Sequence, residues 1–152
     1  PRLFISCRSI GPTGGHNDRN RRTDIGPPCL CCNGMVFIRC IADGPDEVRK
    51  AAREQMRQGA DHVKIMMSGG VASPYDPLDS LQFSPPEVAA AVEEARAFGR
   101  YVCAHAYSPG AIARAAHTGH RGDGLIAVVP VETVVRISSG ETGETALGQA
   151  TQ

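Results

Sequence analysis

Two kinds of hydrophobic spacing alternate along this chain. Short apolar runs occur at RLFIS (2–6), MVFIRCIA (35–42), DHVKIMM (61–67) and YVCAHAY (101–107). Runs of that length bounded by turn residues predict strands, although MVFIRCIA also fits a loop. Elsewhere apolar positions recur at steps of three and four. Val48, Ala51, Ala52 and Met56 predict a first helix that starts near Asp43–Pro45 and stops at Gly59. Val88, Ala91, Val92, Ala95 and Phe98 predict a second. Ser84 with Glu87 forms its capping box, Pro85 takes the first helical position, and Gly99 ends it. Ser108 and Pro109 open a third helix, which runs through Ile112, Ala115 and Ala116 to Gly119.

The order helix, strand, loop, helix, strand, helix predicts an α/β fold with a parallel sheet. Helix-to-strand turns are tight, with Gly59 and Gly99 just before their strands. The strand-to-helix side instead carries SGGVASPYDPLDSLQF (68–83). A TIM-type (β/α)8 barrel shows this asymmetry, with stability turns on one face and working loops on the other. Residues 11–34 are rich in Gly, Arg, Asn and Cys and predict a long irregular loop. The pattern fades after Gly119. GLIAVVPV (124–131) fits a strand, and the Gly-, Thr- and Glu-rich remainder reads as a tail. The expected organisation is a partial barrel over 1–119 and a divergent segment over 120–152.

Candidate chemistry enters through two residues in these runs. Lys64 lies inside an apolar stretch, where an amine costs several kcal/mol unless it is paired, neutralised or bound. His105 lies near the exit of the next run, where parallel sheets place their ligands. Their spacing of about one βα unit puts them on neighbouring strands, toward the same end. On spacing alone each has a plainer reading: a lysine snorkelling to solvent and a histidine bonded to backbone.

Composition removes several classes. Lys and Arg number 16 and Asp and Glu 16, so the formal net charge is zero and no basic surface for nucleic acid is expected. No apolar run approaches the roughly 20 residues of a membrane span. Of the six cysteines, Cys103 falls in a strand pattern and is expected to be a buried free thiol, which suits a reducing, cytoplasmic setting. Cys29, Cys31, Cys32 and Cys40 could be read as a zinc knuckle, but the C-x-C-C spacing is unlike the C-x2-C of zinc sites, and all four are expected to be loop thiols. SGGVASP lacks the patterns of phosphate-binding loops. The chain begins at Pro1 rather than Met and is expected to be an excised piece or a partial reading frame.

Two long stretches carry a resemblance: ADGPDEVRKAAREQMRQGADHVKIMMSGGVASPYDP and FSPPEVAAAVEEARAFGRYVCAHAYSPGAIARAAHTG. They strongly resemble metal-dependent amidohydrolases, in the imidazolonepropionase-like and Xaa-Pro dipeptidase-like branch. PRLFISCRSIGPTGGH and the CLCC loop are similar to the same group. The resemblance implies a (β/α)8 barrel with one or two divalent metals, zinc being the expected ion, at the C-terminal ends of the strands. Lys64 matches the lysine that CO2 carboxylates into a metal-bridging carbamate, an anion whose burial the metals would compensate. His105 matches the histidine ligand on the following strand. Tyr107 and His16 match positions near the substrate. The implied reaction is hydrolysis of a C–N bond in a small amide or dipeptide, by attack of a metal-bound hydroxide on the carbonyl.

The departures from that family are equally specific. No HxH pair and no EHGN-like motif exist in the chain, and the general-base Asp of the last strand is missing. A full barrel takes about 250 residues, so this chain holds about half of one. The loss of pattern after Gly119 fits a truncated or frameshifted reading frame. The alternative expectation is a non-catalytic α/β fragment that self-associates, as a homo-oligomer, or binds a partner through open sheet edges.

Overall fold

The computed structural model describes residues 1–20, 22–24, 39–73 and 75–118. Its strands are β1 (Ser9–Gly11), β2 (Arg39–Ile41), β3 (Val63–Met66) and β4 (Val102–His105). Its helices are α1 (Gly44–Arg57), α2 (Pro85–Ala97) and α3 (Pro109–Thr118). The strands form one sheet in the order β2-β1-β3-β4, and every pairing is parallel. This is the expected set of βα units, part of a TIM-type barrel.

The first strand is not where the apolar run predicts it. Leu3, Phe4 and Ile5 are exposed, at 81%, 55% and 43%. Ile5 instead exchanges hydrogen bonds with Asp61: its N–H donates to Asp61 Oδ2 at 3.0 Å and its carbonyl accepts from the Asp61 N–H at 2.7 Å. The real strand is SIG, which buries Ile10 completely. β1 is paired on both sides, so backbone bonding rather than an apolar run makes it a strand. Within MVFIRCIA, Arg39–Ile41 form β2, and residues 35–38 lie outside the described residues. The expected strand at 124–131, the tail and the CLCC loop also lie outside them.

The helices start and stop for local reasons. Ser84 and Glu87 close the capping box, and the Ser84 N–H donates to Glu87 Oε2 at 2.7 Å. Asp43 precedes α1 without capping it. Its carboxylate accepts instead from the Thr13 N–H and hydroxyl, at 2.9 and 2.6 Å, which ties the loop after β1 to the helix. Both helices end in a Schellman turn. Gly59 and Gly99 take φ of 88° and 64°, and the next residues donate back to Gln55 and Ala95, each over a short bond. A left-handed residue there turns the chain into the following strand within a few positions.

The core lies between the sheet and α1 and α2. Ile10, Val63 and Ile65 are at most 1% exposed and cluster with Val48, Ala52, Met56, Val88 and Ala91. The alanines let the two helices approach closely. Their outer contact is ionic: Glu94, buried on α2, accepts from Arg49 Nη1 at 2.8 Å and Arg53 Nε at 2.8 Å. Phe98, expected on the buried face, is the residue that caps α2 and is 56% exposed. The apolar period therefore runs about one turn beyond the buried stripe. Among the described residues no helix is long and apolar enough to cross a membrane.

Ile65 fills the contact between strand and helices, so its truncation leaves a cavity that close-packed neighbours cannot fill. Ile65→Ala is expected to cost about 3 kcal/mol of stability, read as a lower urea midpoint at an unchanged slope. A loss below about 1 kcal/mol would place the core elsewhere.

Candidate functional site

Side chains alternate along a strand, and residues paired across parallel strands share a face. Val63, Ile65 and Ile10 point toward the helices. The register pairs Lys64 with Cys103 and Met66 with His105. Lys64, Met66, Cys103 and His105 therefore share the opposite face, and all are half-buried. Two residues of strand rise and one strand spacing separate the Lys64 and His105 backbones by about 8 Å. Lys64 also lines an open depression of about 640 Å³ with Phe4, Ile5, Ser6, Cys7, His62 and Cys103.

The other sequence candidates gather around His105. The His16 ring stacks on it, with centroids 4.6 Å apart and planes 11° from parallel. The Tyr107 ring meets it edge-on at 4.8 Å and is itself half exposed. Backbone bonds fix the frame beneath them. The Met67 N–H donates to the His105 carbonyl at 2.8 Å, and the Tyr107 N–H donates to Ser68 Oγ at 2.8 Å. His105, His16 and Tyr107 thus gather at the C-terminal end of the sheet, whereas Lys64 shares the face of His105 but lies two residues nearer the strand starts, beside the depression.

His105 bonds through its ring to the backbone of Gly69, while its Nε2 is buried with no hydrogen-bond partner. A histidine tied on one nitrogen and open on the other is the arrangement of a metal ligand. Burial is the main influence that pushes the His105 pKa down, and the charges of His16 and Lys64 add to it. Burial likewise pushes His16 down, against the opposing pull of Asp76. Both imidazoles are therefore neutral near pH 7 and able to offer a lone pair. Among the described residues no group of three His, Cys, Asp or Glu side chains is placed to hold a metal ion. His105 fits a metal ligand in kind, Lys64 would fit one only as an anion such as a carbamate, and the two together would be a partial set.

Sequence reasoning passed over four residues of the loop between β3 and α2. Ser73 Oγ lies 2.6 Å from His16 Nδ1. Asp76 Oδ2 lies 3.9 Å from the same nitrogen. Gln82 Oε1 accepts the His16 N–H at 3.1 Å. Gly70 has no room for a side chain, because a Cβ there would fall inside the His16 ring. The loop's Ser, Asp and Gly content predicts irregular structure, but its partner is remote in sequence and leaves no local signal.

The depressed histidines set the direction of a pH effect. The unfolded chain, with histidines near 6.5, binds protons more readily than the folded one. Stability is therefore full above about pH 6.5 and is lost as pH falls through the lowered folded values. The thermal midpoint is expected to drop between pH 7.5 and 5.5, and less steeply in His16→Gln. A midpoint that holds or rises over that interval would refute the assignment.

Three comparisons bear on this geometry. The sequence model described as "Amidohydrolase family" matches residues 15–127. Ochratoxinase of Aspergillus niger is 48% identical over 128 residues, which span 78% of this chain and 26% of that protein. The crystal structure of a prolidase complexed with N-methylphosphonate-L-proline superposes with a TM-score of 0.73 at 48% identity. The overlap covers 80% of this chain and 30% of the prolidase. The chain therefore spans little more than a quarter of these relatives. A stretch of 37 residues is 62% identical to nitrogen regulatory protein P-II of Azospirillum brasilense, covering 24% of this chain and 33% of that protein.

Proposed function

The chain belongs to the amidohydrolase family, and on that premise we propose that it supplies part of the active site of a metal-dependent hydrolase of amide or peptide-type C–N bonds. The observation that carries the reading is His105, whose Nε2 is buried and unpartnered at the end of a strand that neighbours Lys64. Lys64, as a carbamate, and His105 would hold the divalent metal, expected to be zinc. When bound, such an ion supplies Lewis acidity toward the scissile carbonyl. His16 and Tyr107 flank His105 and would contact the substrate. The likeness to a prolidase complexed with N-methylphosphonate-L-proline favours a dipeptide ending in proline. The remaining ligands belong to other strands of the barrel.

In the protein that carries this segment, Xaa-Pro dipeptides are expected to be hydrolysed, and a chelator is expected to stop the reaction. Lys64→Ala and His105→Ala should each lower kcat/KM by more than about 100-fold, beyond the 10–100-fold typical of outer-shell partners. Chelator-resistant turnover, with Lys64→Ala at full activity, would overturn the reading.

The likeness to P-II favours a second reading for the rest of the chain. The two matches take up 78% and 24% of the chain, about the whole of it, which fits P-II-like residues lying at one end. The P-II-like residues then fall mostly beyond Gly119, where the βα pattern fades. We infer that the reading frame joins an amidohydrolase segment to a P-II-like one. Amplifying and sequencing the source DNA across codon 119 checks this: one continuous product supports the junction, and its absence refutes it.

A further inference from the structure

The loop between β3 and α2 holds an arrangement that metal ligation leaves unexplained. Asp76 has a nearly buried side chain, 3% exposed, and its Oδ2 accepts from the Gly70 N–H at 3.2 Å and from Gln82 Nε2 at 3.1 Å. Its Oδ1 is buried without a partner. Burying a carboxylate is costly unless something nearby uses its charge. The group it faces is His16, at 3.9 Å.

Every contact of the His16 ring in this region constrains its orientation. Ser73 Oγ, itself buried, meets Nδ1 at 2.6 Å. Gly70 packs where no side chain fits. His105 stacks on the ring. Gln82 links the two halves of the brace, donating to Asp76 through Nε2 and accepting the His16 N–H through Oε1. The proton position follows from these partners. A negative oxygen beside Nδ1 favours the proton there, so Nδ1–H donates to Ser73 Oγ. The Ser73 hydroxyl then has the Gly70 carbonyl as its acceptor, at 3.5 Å. Nε2 is left as a lone pair.

We propose that Ser73 and Asp76 are positioning residues for the His16–His105 pair, holding His16 as its Nδ1–H tautomer with an open Nε2 lone pair beside His105. That lone pair accepts a hydrogen bond from an N–H or O–H group of a molecule bound over the sheet end. The proposal rests on the site being the hydrolase described above, but its first test does not.

The test uses the uniformly 15N-labelled 152-residue chain without metal, in long-range 1H–15N imidazole spectra at pH 7.5. The expected result is a protonated Nδ1 and a bare Nε2 in His16. Ser73→Ala and Asp76→Asn should each shift the population toward Nε2–H, the form that free imidazole side chains prefer. Asp76→Glu should retain Nδ1–H. A bare Nδ1 in the unsubstituted chain overturns the proposal, whether or not any variant folds. Unchanged spectra in both folded variants also overturn it. In the active protein, Ser73→Ala should lower kcat by about 10-fold with little change in KM. Absence of hydrolase activity would remove the proposed function while leaving the tautomer result to stand or fall by itself.

Discussion

The parallel register between β3 and β4 is the constraint on which the rest depends. It places His105 beside Met66 and Cys103 beside Lys64. The residues that enforce it lie on the opposite face. Val63 and Ile65 are fully buried against α1 and α2, and each contributes about 1.5–3 kcal/mol by leaving water. A slip of β3 by one residue would turn both toward the open face and drive the Lys64 amine into the helix packing. Both changes are unfavourable, so hydrophobic burial on one face decides where the polar chemistry of the other face points.

The turns keep that chemistry at a common level. Gly59 and Gly99 end α1 and α2 in the left-handed conformation, and the strands begin soon after. The strands therefore start in step, and their far ends, with the long loops, rise together. The ionic contact of Glu94 with Arg49 and Arg53 fixes the two helices on the outside of the same layer. The working end is thus free of structural duties that the opposite end and the helix layer already perform.

Much of this was legible in the sequence, for local reasons. α1 and α2 announce themselves through period, proline at the first turn and a terminal glycine, all within a few residues of one another. Lys64 and His105 stand out as polar residues in apolar runs. β1 was hidden, because Ile10 is its one large apolar side chain and its strand character comes from pairing with β2 and β3. The exposed Leu3, Phe4 and Ile5 drew the eye instead. Ser73, Asp76 and Gln82 carry no individual signal in a Gly-, Pro-, Ser- and Asp-rich loop, since the histidine that gives them meaning is more than fifty positions away.

Gly70 links two loops that share no sequence neighbourhood. The volume that its missing side chain leaves is filled by the His16 ring. The two positions therefore behave as one unit of shape. A chain that keeps an imidazole at 16 is restricted to glycine at 70, whereas one with a small residue at 16 is released from that restriction. A side chain at 70 becomes tolerable only once the imidazole at 16 has been replaced, so the order in which a lineage acquires the two changes is itself constrained.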